Sequence, residues 1–222
     1  YVEALGIGAD GNWNQRFEKV LSKKNELSEA AFNGIVWRSR GSKSLPYLLA
    51  ILENNQDTDS KLAYFRALDF NESKEKSNEL VKLIQGRFAK DLKAQMLCLK
   101  HLDPNYFTEN PNKLSVLQGL IQQTKDIEYL DLVLKYKLET EKPKVLEYIL
   151  KGNQQPKAAQ VMYEIGAGNF LQSTFDKAND TDKKAIIDAV KSVGKPQSLA
   201  LLFGAVTNPK LSFEIQREAA KR

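Results

Sequence analysis

The sequence predicts an all-α protein: a right-handed α-α superhelix of stacked helical hairpins, about twelve to fourteen helices in all. Apolar stripes at helical spacing recur at Leu45-Leu48-Leu49-Leu52, Leu80-Val81-Leu83-Ile84, Val116-Leu117-Leu120-Ile121, Val145-Leu146-Ile149-Leu150 and Leu199-Leu202-Phe203-Val206. Their first members lie roughly thirty to thirty-six residues apart, with one double-length gap, as in a repeat protein. Short polar breaks rich in Gly, Pro and Asn separate the stripes. After the first few residues, no alternating or continuous β-branched run offers a sheet. Residues 1–222 are therefore expected to form one domain in which each hairpin supplies half of its neighbour's core, because a single helix pair buries too little apolar area to offset chain entropy.

At the amino end, Gly6-Ile7-Gly8-Ala9-Asp10-Gly11 has the spacing of a pyrophosphate-cradling loop. That chemistry needs a strand before the loop, a helix after it and a parallel sheet around both. With no sheet to hold it, the segment reads instead as the last turn of a helix over 1–5 stopped by glycines. Asp10 to Asn12 then cap a helix carrying Trp13, Phe17, Val20 and Leu21. Three- and four-residue apolar spacing places further helices at 31–37, 45–53, 61–70, 76–88, 91–102, 112–124, 127–136, 144–151, 157–165, 170–177, 182–193, 197–207 and from 212 onward. Breaks fall at Gly41-Ser42, Asn54-Asn55, Asp103-Pro104-Asn105, Asn110-Pro111-Asn112, Gly152-Asn153, Gly166-Ala167-Gly168, Gly194-Lys195-Pro196 and Asn208-Pro209. Pro111, Pro143, Pro156 and Pro196 stand close to helix starts, where the missing amide costs nothing.

The composition, 42% hydrophobic and 27% charged over 222 residues, is that of a folded water-facing object, and no apolar run reaches the length of a membrane span. The opening at Tyr1 and the closing helical stretch from Ser212 to Arg222 read as the ends of a segment excised from a longer protein. A net charge of +5 and a pI near 9.1 permit nucleic-acid binding without requiring it. The lysines mostly lie within four residues of an acid, as in Glu72-Ser73-Lys74-Glu75-Lys76 and Glu139-Thr140-Glu141-Lys142, which is how a solvated helix face reads.

One stretch departs from that pattern. Trp37-Arg38-Ser39-Arg40-Gly41-Ser42-Lys43 carries three cations and an indole without an acid. Trp37, Arg38, Arg40 and Lys43 are thus the candidate interaction surface, since an aromatic beside arginines can stack on a base or grip an anion. The structural counter-reading is that a helix end favours cations and that Gly41 terminates the helix. Cys98 is the one cysteine and His101 the one histidine. They could share a helical face, but a zinc site needs three or four ligands and a haem attachment motif needs a second cysteine. Cys98 therefore reads as a buried small hydrophobe. No cofactor, metal or catalytic residue is expected, because any Ser-His-Asp or Cys-His arrangement would have to be built around His101, amid Leu97, Leu99 and Leu102.

Leu199-Ala200-Leu201-Leu202-Phe203, the Asn208-Pro209 break and the helix with Ile215, Arg217 and Ala219 together resemble HEAT repeats, an armadillo-type solenoid. A narrower resemblance rests on Tyr1-Val2-Glu3-Ala4-Leu5-Gly6-Ile7-Gly8-Ala9, Trp13, Ile35-Val36-Trp37-Arg38-Ser39-Arg40, Leu45-Pro46 and Tyr64-Phe65-Arg66-Ala67-Leu68-Asp69-Phe70. Over roughly its first third the chain resembles the HEAT-repeat region of large bacterial haem-binding multidomain proteins of the Planctomycetes and Bacteroidetes type. There such a region joins a sorbosone-dehydrogenase-like propeller to a cytochrome c domain. The resemblance implies export to the periplasm or cell surface. Neither the haem motif nor a propeller blade occurs in this chain, so the family's redox residues have no positions here.

The expected function is a non-catalytic scaffold that binds a protein partner, either adjacent domains of a parent chain or a peptide, without nucleic acid or a membrane segment. One alternative is a basic HEAT-like nucleic-acid-binding protein resembling the alkylpurine DNA glycosylases. Those enzymes use a carboxylate and aromatics near mid-chain, whereas Trp13 and Trp37 lie in the first fifth. The other alternative is a stand-alone peptide-binding adaptor.

Overall fold

The computed structural model describes residues 11–54 and 57–221. Among these, every regular element is helical. In chain order they are α1 (Trp13–Leu21), α2 (Glu29–Arg38), α3 (Leu45–Glu53), α4 (Leu62–Ala67), α5 (Lys76–Gln85), α6 (Leu92–His101), α7 (Tyr106–Glu109), α8 (Pro111–Gln123), α9 (Asp126–Lys135), α10 (Lys142–Leu150), α11 (Gln155–Glu164), α12 (Gly168–Lys177), α13 (Asp180–Val190), α14 (Pro196–Thr207) and α15 (Phe213–Ala220). Single 3-10 turns precede or follow several of them. Fifteen α-helices among the described residues exceed the twelve to fourteen expected. The surplus traces to α7, a four-residue helix between two Pro-Asn breaks, too short to show a periodicity. Apart from Gly11, the Gly6–Gly11 loop and the helical turn expected over 1–5 lie outside the described residues, as does Asn55.

Local chemistry explains most of the boundaries. The side chains of Ser28, Asp91, Asn179 and Ser212 accept the amides of Ala31, Ala94, Asp182 and Ile215, closing the first turns of α2, α6, α13 and α15. Asn12 holds the equivalent place before α1, yet its side chain makes no such bond. Pro46, Pro111, Pro143, Pro156 and Pro196 occupy the first or second position of their helices. At the carboxyl end of α11, Gly166 takes φ +82°, and Ala167 N–H bonds the Met162 carbonyl five residues back at 2.9 Å. This is the left-handed closure that glycine permits cheaply.

Lysines finish several other helix ends. The buried Lys61 ammonium donates to the Leu52 carbonyl at 2.8 Å, Lys76 to Leu68 at 2.7 Å, Lys144 to Gln122 at 3.0 Å, and Lys183 to Ala178. A cation on the last carbonyls satisfies orphan acceptors and opposes the helix dipole.

The helices gather into two compact units, one up to Tyr106 and one from Phe107. In the first, α2 packs on α3 and α4, α3 on α4, α4 on α6 and α5 on α6. In the second, α9 packs on α8 and α11, α10 on α11 and α13, and α11 on α12 and α13. There too α12 packs on α13 and α14, α13 on α14 and α15, and α14 on α15. Packing partners thus lie one to three helices apart along the chain. The expected stripes supply much of the core: Leu45, Leu48 and Leu52, then Leu80, Val81, Leu83 and Ile84, then Leu117, Leu120 and Ile121, then Val145 and Ile149, are all buried.

The last stripe is corrected. In α14 the buried positions are Ser198, Leu201 and Ala205, whereas Leu199, Val206 and Phe203, 71% exposed, face solvent. α14 carries apolar residues on all sides, so its sequence pattern has no unique phase.

Candidate interaction site

The segment from Trp37 to Lys43 ties three helices together. Arg38 closes the last turn of α2, where its charge suits the helix dipole, and its Nε is buried without a hydrogen-bond partner among the described residues. Trp37 remains 40% exposed and donates its indole N–H to the Ala63 carbonyl of α4 at 3.1 Å. The Arg40 guanidinium lies 5.9 Å from the Trp13 ring centroid and 5.3 Å from that of Phe70. Lys43 forms an ion pair with Glu18 of α1. Each of these three side chains thus has its own partner: Trp37 reaches toward α4, Lys43 toward α1, and Arg40 lies between two other aromatics.

Gly41 was expected to terminate α2 through its backbone freedom. It does not, for the helix stops at Arg38 with Ser39 extended, and Gly41 has an ordinary φ of −69°. Its role is close approach: a Cβ there would stand 2.4 Å from Asn14 Oδ1 and 2.9 Å from Trp13 Cβ. Around it, Asn14 Oδ1 accepts the Lys43 amide at 3.0 Å, and Asn71 donates to the Gly41 carbonyl and to Ser44 Oγ, each at 3.2 Å.

Cys98 and His101 serve separate purposes. Burial pushes the Cys98 thiol up to about 12, so it carries no thiolate at neutral pH. The His101 Nδ1 sits 2.7 Å from Asp69 Oδ1, and its ring stacks on Phe65 with centroids 6.3 Å apart. Among the described residues, no three His, Cys, Asp or Glu side chains converge in a way that could hold a metal ion. None of the described helices is long and apolar enough to cross a membrane.

One buried polar cluster is one that the charge pattern hid. Glu141, from the stretch read as a solvated face, is only 3% exposed. Its carboxylate accepts Tyr129 Oη at 2.7 Å, Gln118 Nε2 at 2.6 Å and Gln122 Nε2 at 3.1 Å. Burial alone would raise its pKa, but these three donors and the Lys144 charge outweigh burial and hold it below the usual carboxylate range. The Tyr129 phenol, buried against that carboxylate, is pushed well above its ordinary value. With both carboxylate oxygens engaged and Lys144 stacked 4.2 Å over the Tyr129 ring, the cluster is a structural lock.

Two clefts remain. One, of about 300 Å³, is lined by Lys125, Asp126, Lys144, Glu147, Tyr148, Lys151 and Asn153. Most of its polar groups already bind one another or the backbone: Asn153 donates to Asp126 at 2.7 Å, the Asp126 amide to Tyr148 Oη at 3.0 Å, and Lys151 pairs with Glu147 at 2.8 Å. The other, of about 530 Å³, opens between α2, α3 and the turn at 24–26, over Phe32, Tyr47 and Ile51. Sequence reading missed both, since each is assembled from residues of two or more elements. Compared with known protein families, curated proteins and solved structures, the chain matches none of them.

Proposed function

We infer that the chain is a HEAT-like right-handed solenoid that acts as a non-catalytic protein-interaction scaffold. The observation that carries this reading is a repeat-length register in the side-chain bonds. Asn14 reaches Ser42 (28 residues on), Gly41 reaches Asn71 (30), Asp69 reaches His101 (32), Asp126 reaches Asn153 (27), Asp180 reaches Ser212 (32) and Lys184 reaches Glu214 (30). Bonds that recur about one repeat apart are what stacked, near-identical units produce.

The disposition of charge favours protein over nucleic acid. Lys61, Lys76, Lys144 and Lys183 cap helix carbonyls, while Lys93, Lys157, Lys191 and Lys195 are paired with Asp59, Asp131, Glu218 and Glu164. Cations used in this way are already engaged within the chain and are not free to track a phosphate backbone. The resemblance of the first third to exported haem-binding proteins supports placing the scaffold between redox domains in the periplasm or at the cell surface.

The test is to purify the chain and assay it for haem, bound metal and turnover of redox dyes, then titrate it with duplex DNA at two salt concentrations. The scaffold reading expects no stoichiometric cofactor, no turnover and no steeply salt-dependent DNA binding; any one of these would overturn it.

A further inference from the structure

We propose that the cleft between α2 and α3 is a binding site for a short extended peptide that presents an apolar side chain next to an acidic one. This rests on the scaffold reading and specifies its ligand. The cleft, about 530 Å³, falls within the size range of ligand pockets. Its floor is apolar: Phe32, Tyr47 and Ile51, with Phe32 and Tyr47 edge-to-face at 5.5 Å and Phe17 packed beneath them.

What distinguishes this cleft is the idleness of its rim. The side-chain amides of Asn25 and Asn33, the Tyr47 hydroxyl and the Glu29 carboxylate line it, and none of them has a hydrogen-bond or ion-pair partner among the described residues. The Lys24 ammonium sits over the Phe32 and Tyr47 rings, 4.9 and 5.3 Å from their centroids, without a carboxylate partner among the described residues. In the smaller cleft the corresponding groups are largely engaged with each other.

Each idle group matches one feature of an extended peptide. A primary amide offers one acceptor and two donors, so Asn25 and Asn33 can pair with the free N–H and C=O groups of a backbone that has no sheet partner. The aromatic and aliphatic floor takes one apolar side chain. Lys24 lacks an anion and stands at the edge of that floor, so it selects a carboxylate beside the apolar residue, while unpaired Glu29 disfavours a second acid further along.

The experiment is a ¹⁵N NMR titration of the whole chain with two pools of end-capped pentapeptides. One pool fixes Leu or Phe at the centre followed by Asp; the other replaces Asp with Lys; the remaining positions are mixed. The proposal expects saturable shifts of the Asn25 and Asn33 side-chain amides and of Tyr47 with the acidic pool, and clearly weaker binding of the basic pool. The variants Lys24→Ser and Asn33→Ala, both on the cleft surface, are expected to keep the wild-type unfolding midpoint and to lose affinity by about tenfold each. Absence of shifts at these residues with both pools, equal binding of the two, or variants that bind as well as the parent would each overturn the proposal. None of those results would introduce a cofactor or turnover, so the scaffold reading would stand or fall separately.

Discussion

Glu141 shows how much a single side chain can depend on context that is not local. Its neighbours Glu139, Thr140 and Lys142 look like an exposed face, and Glu139 and Lys142 do pair at the surface at 3.0 Å. What buries Glu141 is the arrival of Gln118, Gln122 and Tyr129 from two other helices, which no window along the chain displays. Because its folded pKa lies below the unfolded value of about 4.3, its contribution to stability is complete above that value. It is lost as pH falls through the lower folded pKa. Glu141→Gln should therefore cost about 1–3 kcal/mol at neutral pH, by leaving buried donors imperfectly matched, and should flatten the loss of stability in acid. Urea unfolding at neutral pH and at about pH 3 checks this; an unchanged acid slope contradicts it. Gly41 makes the converse point. The residue type was legible as special, but its reason was spatial, and Gly41→Ala should cost about 1–3 kcal/mol through its clash with α1. A neutral thermal shift would show that Asn14 and Trp13 move aside freely.

At the scale of elements, helix starts were the most legible feature. Proline placement and the Ser, Asp and Asn caps act within a few residues, so the sequence contains their whole cause. The phase of a helix was legible only where one face is polar. α5, polar on its other face, buries all four residues of its expected stripe, whereas α14, apolar on all sides, buries Leu201 and leaves Phe203 and Leu199 outside. A pair of substitutions separates the two phases. Leu201→Ala should cost about 2–4 kcal/mol by leaving a cavity, while Phe203→Ser should change stability by no more than about 0.5 kcal/mol. Melting curves showing the reverse order would mean that α14 is rotated from the orientation described. The candidate site divides in the same way: the Trp37–Lys43 segment stood out by composition, but the cleft over Phe32 and Tyr47 needed α2, α3 and the turn at 24–26 to be brought together.

At the scale of the whole molecule, we propose that each hairpin supplies its neighbour's interior, so that stability accumulates unit by unit. The bonds from α13 to the segment 212–218, Asp180–Ser212, Lys184–Glu214 and Lys191–Glu218, join the last hairpin to the one before it. The helical class was legible because its cause, apolar stripes at three- and four-residue spacing, is written along the chain. The register of the polar bonds was not, because partners about thirty residues apart carry no local mark. The most direct measurement is to delete the last hairpin after Lys195 and compare helical circular dichroism and urea unfolding with the parent chain. Residues 1–195 are expected to keep their helical signal and to unfold at a moderately lower urea concentration. Collapse of the whole helical signal on losing that one hairpin would contradict the proposal.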